Sequence, residues 1–267
     1  MSKLSPNAHS LTTYSLDDVT IDDEPSFRHV GLYADLKKIL RLQSYRFRVL
    51  PPAMARWDHA VFLGLTFWGE ADGDVLMDRD VPADVLTHIA WHRLAGQALT
   101  PVGTQPSADA LFFGEAIASA FDVYLVGRLL HHAPESSFLA TQVPAMAESA
   151  DAAGLSEDDF AALLETIAAD PEQAFEDLRE LLFDAATSLL ACSGVDAALE
   201  VLAKLDGHRF GALLHRYELS NWLLYARAYA SHALQPDANV RALDRLLRDE
   251  RVALDWLTTA WVVPALK

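Results

Sequence analysis

Val85-Leu86-Thr87-His88-Ile89-Ala90-Trp91-His92-Arg93-Leu94-Ala95 is the stretch from which both the fold and the chemistry of this chain are read. Its apolar residues Val85, Leu86, Ile89, Ala90 and Leu94 recur three and four apart, which predicts a helix. On a helix, His88 and His92 stand one turn apart and point to the same side, the geometry needed to chelate one transition metal. Val75-Leu76-Met77 ahead of it reads as a short strand. Leu111 to Asp122 behind it reads as a second helix, bearing Glu115. A carboxylate there would complete a site of two histidines and one carboxylate, with a coordination position left open for water or substrate.

Further out, Tyr45-Arg46-Phe47-Arg48-Val49-Leu50 alternates aromatic or aliphatic residues with arginines and predicts a half-buried strand ended by Pro51-Pro52. Val61 to Trp68 is a continuous apolar run, read as a buried strand, with turn chemistry from Gly69 to Gly73. Leu32, Leu36, Ile39 and Leu40 mark an earlier short helix. From Pro82 onward the spacing is helical, in segments Asp84 to Leu99, Ala108 to His131, Glu157 to Ala169, Glu172 to Ala191, Asp196 to Leu205, Arg209 to Ala233 and Asn239 to Val263. Ser156 with Asp159, and Asp170-Pro171, serve as starts; Pro134, Pro144, Gly154 and Pro236 serve as stops. The expected fold class is α+β: a small mixed or antiparallel sheet with adjoining helices, then an α-helical C-terminal half. The expected division is a flexible acidic tail at 1–25 docking through Tyr14, Leu16, Val19 and Ile21, an α+β domain at 26–150 and a helical domain at 151–267.

Strand, histidine-pair helix, short connection and Glu-bearing helix together resemble the thermolysin-like (gluzincin) class of zinc metallopeptidases over roughly residues 61–125. That resemblance implies zincin-like helices with His88 and His92 as the first two metal ligands and Glu115 as the third. It implies Asp122 as the acceptor that orients a histidine, at an offset from Glu115 longer than the family's usual one. The family's general base is the glutamate directly after the first histidine, and here that residue is Ile89. Peptide hydrolysis needs a positioned group to take the water's proton and pass it to the leaving amine, and isoleucine cannot do so. The expectation is therefore a metal-binding protein without the peptidase base: a pseudoenzyme or regulatory binder, or a metal enzyme of other chemistry. The divalent metal would be zinc, with iron as the alternative, since two histidines and one carboxylate also suit non-haem iron.

Charge limits the partners. The 267 residues carry 38 acids against 21 bases, a formal −17, so nucleic acid and anionic membrane are unfavourable ligands. No uninterrupted apolar stretch of spanning length is read, and the first residues lack the apolar centre of a secretory signal, so the expected location is the cytoplasm. Residues 151–185 hold eleven acids and one base, Arg179, and read as a solvated helix face above a stripe of Phe160, Leu163, Leu164 and Ile167. These features sustain the alternative function, a metal-free acidic helical interaction protein that recognises a basic partner or another subunit, a homo-oligomer included. Cys192 is read as a small buried hydrophobe, and His131-His132 as residues at the negative end of a helix dipole. His208, His215 and His232 are read as packing residues. Trp57, Phe62, Phe67, Trp68, Trp91 and Phe112 are expected in the core between sheet and helices. There is no Gly-rich phosphate loop and no Gly-x-Ser-x-Gly elbow.

Overall fold

The computed structural model describes residues 11–66, 73–231 and 234–267. The first elements are β1 (Thr12–Ser15), β2 (Thr20–Asp22), α1 (Glu24–Phe27), α2 (Gly31–Leu42), β3 (Arg46–Val49), α3 (Trp57–Thr66), β4 (Val75–Leu76) and β5 (Asp80–Pro82). Helices α4 (Ala83–Leu99), α5 (Ala108–Leu130), α6 (Ser137–Ala152), α7 (Glu157–Ala169) and α8 (Pro171–Ala191) follow. The chain closes with α9 (Val195–Asp206), α10 (Arg216–Tyr229), α11 (Ala238–Asp249), α12 (Ala253–Leu257) and α13 (Val263–Ala265).

The fold is α+β. Its three-stranded sheet is mixed, in the order β1-β3-β4. Strands β1 and β3 are antiparallel, with Thr12 opposite Val49 and Ser15 opposite Arg46, and β3 and β4 are parallel. A second, two-stranded sheet pairs β2 with β5 in parallel. Within the expected tail, Thr12–Ser15 and Thr20–Asp22 form strands on either side of a 3₁₀ turn at Leu16–Asp18. Leu16 is buried, and Val19 and Ile21 pack on the core. Asp23 accepts hydrogen bonds from the hydroxyls of Ser26 and Ser136, which ties this segment to the start of α6.

Helix α5 is the axis of the core. Among the described residues it alone is long and apolar enough to cross a bilayer, contrary to the expectation of no such stretch, and 78% of its apolar window is buried within the protein. That burial is how a helix apolar on nearly every side becomes the core of a packed fold. Its most extensive partner is α8, followed by α4. Gly127 permits the close approach on one side: a Cβ there would lie 2.6 Å from the Ile167 carbonyl oxygen and 3.0 Å from the Pro171 ring. Gly127→Ala is therefore expected to destabilise the fold by about 2 kcal/mol, because overpacking outweighs the helix propensity gained. Urea denaturation measures this, and an unchanged midpoint would contradict the packing described.

Several expectations are corrected. Val61 to Trp68 is not a strand: residues 61–66 belong to α3, and Phe67, Trp68 and Gly69 lie outside the described residues. A short apolar run carries no period that separates the two states. Val61, Phe62, Thr66, Phe67 and Trp68 favour strands, so local propensity pointed to a strand where residues 61–66 form a helix. Trp57 and Phe62 are not core residues, being 70% and 65% exposed, whereas Trp91 and Phe112 are buried as expected. Pro144 does not stop a helix but lies inside α6. The one backbone bond it forfeits is offset by the burial of Phe138, Leu139, Met146 and Ala150.

The expected helix from Arg209 begins only at Arg216, after a 3₁₀ turn at Gly211–Leu213. Gly211 there passes so close to the Leu205 carbonyl that a Cβ would collide with it. The expected helix Asn239 to Val263 breaks where Val252 is extended, and π-helical residues Thr258–Val262 link α12 to α13. Cys192 is half-buried, not buried, because it sits at the C-terminal cap of α8; its Sγ donates to the Ser188 carbonyl at 3.3 Å.

Candidate metal centre

Helices α4 and α5 bring the chemistry together. Asp84, His88 and His92 are spaced i, i+4, i+8 along α4, and Glu115, Ser119 and Asp122 form the half-buried stripe of α5 amid otherwise buried turns. Gly114 lets the helices meet at this level: a Cβ there would lie 3.3 Å from the Ala95 Cβ and 3.9 Å from Nδ1 of His92.

The ligand atoms converge. Nε2 of His88 and Nε2 of His92 are 3.1 Å apart, and Nε2 of His92 is 3.4 Å from Oε2 of Glu115. One ligand atom from each of the three residues lies within 4.8 Å of the others. Tetrahedral coordination at bond lengths of about 2.05 Å puts neighbouring ligand atoms about 3.3 Å apart, so the two measured edges fit a transition-metal site. Asp122 lies against the far side of the His88 ring. Its Oδ2 accepts from Nδ1 of His88 at 3.0 Å, an arrangement that holds one proton on Nδ1, so that a metal displacing the second proton would meet the Nε2 lone pair.

Electrostatics follow from the crowding of acids. Burial alone would hold His88 neutral, but the charge and hydrogen bond of Asp122, with Glu115 and Asp74 behind it, push it up to about 9. Burial opposes ionisation of Glu115, yet the neighbouring imidazoles of His92 and His88 hold its carboxyl below the ordinary range. Burial, then the charge of Asp122, pushes Asp84 up to about 6. A histidine whose folded pKa exceeds its unfolded value of about 6.5 stabilises the fold fully below that value and loses this contribution as pH rises through the folded pKa. Chelator-treated protein is therefore expected to lose stability between about pH 6.5 and 9, the window set by His88. Asp84 adds a fall of the same sign between 3.8 and about 6. Thermal melts across pH 5 to 10 check this. Asp122→Asn is expected to flatten the upper fall, and a flat wild-type profile there would contradict the pair.

Sequence reasoning missed part of the surroundings. Glu218 of α10, an exposed residue, is within electrostatic reach of Glu115, His88 and Asp122, and partial desolvation with those two acids raises its carboxyl pKa against the pull of His215 and His88. Tyr225, two turns further along α10, interacts with Glu115 and Asp74. No local pattern links these residues to α4. Asp84 was missed as well, although its place four residues before His88 on the same helix face was the signal for it.

Among the described residues, no other histidine joins the ligand cluster. His131 is the C-terminal cap residue of α5. Nδ1 of His208 accepts from the Phe210 amide at 3.1 Å, and Nε2 of His215 pairs with Ser149 Oγ at 3.2 Å; His232 lies outside the described residues. Ile89, which follows His88, is buried in the apolar core.

Comparison with protein-family models, with curated proteins and with solved structures gives no match to this chain.

Proposed function

We propose that this protein binds one divalent transition metal, zinc or alternatively iron, through His88, His92 and Glu115, and uses the site for ligand binding or for a reaction other than peptide hydrolysis. The observation that carries the reading is the convergence of three ligand atoms with edges of 3.1 and 3.4 Å while Asp122 orients His88 from behind. A bound metal would supply Lewis acidity and an open position for water or ligand. His88 and His92 would present Nε2, Glu115 one carboxylate oxygen, and Asp122 the acceptor that keeps His88 in the required tautomer.

Peptidase activity is excluded from the proposal by the residue after His88. Ile89 contributes no proton acceptor, and it is packed in the core, so a glutamate placed there would be a buried charge and not a base at the mouth. The placement of β5 ahead of α4 and of α5 after it agrees with a zincin-like layout, and that likeness supports the ligand assignment alone.

The test is the metal content of protein purified without a histidine tag. About one equivalent of zinc or iron per chain is expected, with no turnover of a casein substrate. Folded protein that neither retains nor takes up metal would overturn the reading in favour of the metal-free interaction protein.

A further inference from the structure

We propose that the exposed face of α3 is the surface through which two copies of this chain pair about a two-fold axis. Of the side chains described on α3, Ala60 is buried and His59 and Leu63 are half-buried, while Trp57, Asp58, Val61 and Phe62 are exposed. Trp57 and Val61 stand four apart, as do Asp58 and Phe62, so the four form two neighbouring rows on one side of the helix. That side is apolar where a solvent-facing helix is ordinarily polar. Trp57 is 70% exposed and Phe62 65%. Met54, also exposed, lies beside the first turn of α3, where its carbonyl oxygen meets Nδ1 of His59 at 2.9 Å. The main contact of α3 with the rest of the fold is β4, an edge strand of the three-stranded sheet, so the helix sits at the margin of the molecule.

Area argues for a protein partner. Aromatic side chains of about 150–250 Å² exposed to this degree, with Val61 and Met54, offer about 400 Å² of apolar surface per copy. A standard interface takes about 800 Å² from each partner, a little over half of it apolar, which is about 450 Å². The α3 face supplies nearly that amount, and Trp, Phe and Met are the residue types enriched at such interfaces. Two-fold pairing sets the same surface on both sides and is the commonest symmetry of soluble oligomers, so this face and its own copy satisfy each other.

Charge argues that the partner is a second copy and that α3 is where it docks. Each chain carries a formal −17, so copies repel across most of their surfaces. On α3 the one exposed acid is offset by its neighbour: Arg56 donates to Asp58 from Nε at 2.9 Å and from Nη2 at 2.6 Å. Two such faces meet without a net charge between them. The exposed Val195 and Leu199 of α9 differ in this respect, because they stand beside the exposed acids Asp196 and Glu200. Copies meeting there would bring like charges together.

Analytical ultracentrifugation tests the pairing. Wild type at about 50 µM is expected to sediment with about twice the 29.4 kDa of one chain. Added salt is expected to tighten the dimer, since it screens the −17 of each copy and leaves the apolar contact intact. Phe62→Glu, at an exposed position, is expected to weaken pairing about a hundredfold with an unchanged circular dichroism spectrum. Trp57→Glu repeats the test from the neighbouring row should Phe62→Glu fail to fold. Leu199→Glu on α9 is expected to leave the dimer unaffected. A monomeric wild type would overturn the proposal, including one whose tryptophan fluorescence shifts on neutral phosphatidylcholine vesicles, which would assign the face to lipid. A dimer that survives both α3 substitutions, or one that Leu199→Glu dissociates, would overturn it equally.

Discussion

Replacing His88 by alanine is expected to abolish stoichiometric metal binding, lowering zinc affinity about a thousandfold in competition with a chromophoric chelator. The loss is large for two reasons. His88 contributes one of the two nitrogens that stand 3.1 Å apart. It is also the residue through which Asp122 acts on the site. Two ligands, His92 and Glu115, would remain, too few for a protein site of the usual three or four. Asp122→Asn leaves all three ligands in place and removes only the orienting charge, so it should cost the smaller 10–100-fold typical of an outer hydrogen-bond partner. His131→Ala, at the far end of α5, should change nothing. This ordering separates a true centre from nonspecific uptake by an acidic surface, where the neutral histidine changes would be equivalent. If His88→Ala and His131→Ala retain zinc equally, the centre is not at His88.

Arg179→Met is expected to lower stability by about 3 kcal/mol, a fall in Tm of roughly 6–12 °C. Arg179 is fully buried in α8, beneath the acidic surface. Its guanidinium donates to Glu176 at 2.5 and 2.8 Å and to Asp244 of α11 at 2.8 Å, and lies 5.2 Å from the centroid of the Phe113 ring. Methionine fills the volume but leaves two acids without their cation, and breaking one side of a buried pair costs about 3–5 kcal/mol. The lower end applies because Arg248 also donates to Asp244, at 2.9 Å. Phe113 belongs to α5, two residues before Glu115, so this network anchors the helix that presents the third ligand. Substituting Asp244→Leu in the Arg179→Met background should recover part of the loss, since apolar packing can replace a buried ion pair at little cost. Equal stability of wild type and Arg179→Met by chemical denaturation would contradict this account of α8 and α11.

What could be read from sequence follows from which forces are local. The helical period of α4 and α5, and the serine and aspartate caps at Ser156 and Asp170, are encoded within a few residues; both caps accept the expected backbone amides. The relation of His88, His92 and Glu115 was legible because two short-range spacings and one connection define it. Residues 61–66 were misread because an apolar run of that length satisfies a buried strand and a helix equally. The acidic stretch around α8 read as a solvated face, yet its one base, Arg179, is buried where long-range contact with Asp244 compensates it. Glu218 and Tyr225 were invisible for the same reason, since only the packing of α10 on α5 and α8 carries them to the centre.

Anomalous diffraction at the zinc edge, from crystals grown with one equivalent of zinc, tests the central claim most directly. The account predicts a single strong peak within about 2.0–2.2 Å of Nε2 of His88, Nε2 of His92 and a carboxylate oxygen of Glu115. A peak elsewhere on the acidic surface, or none between α4 and α5, would contradict it.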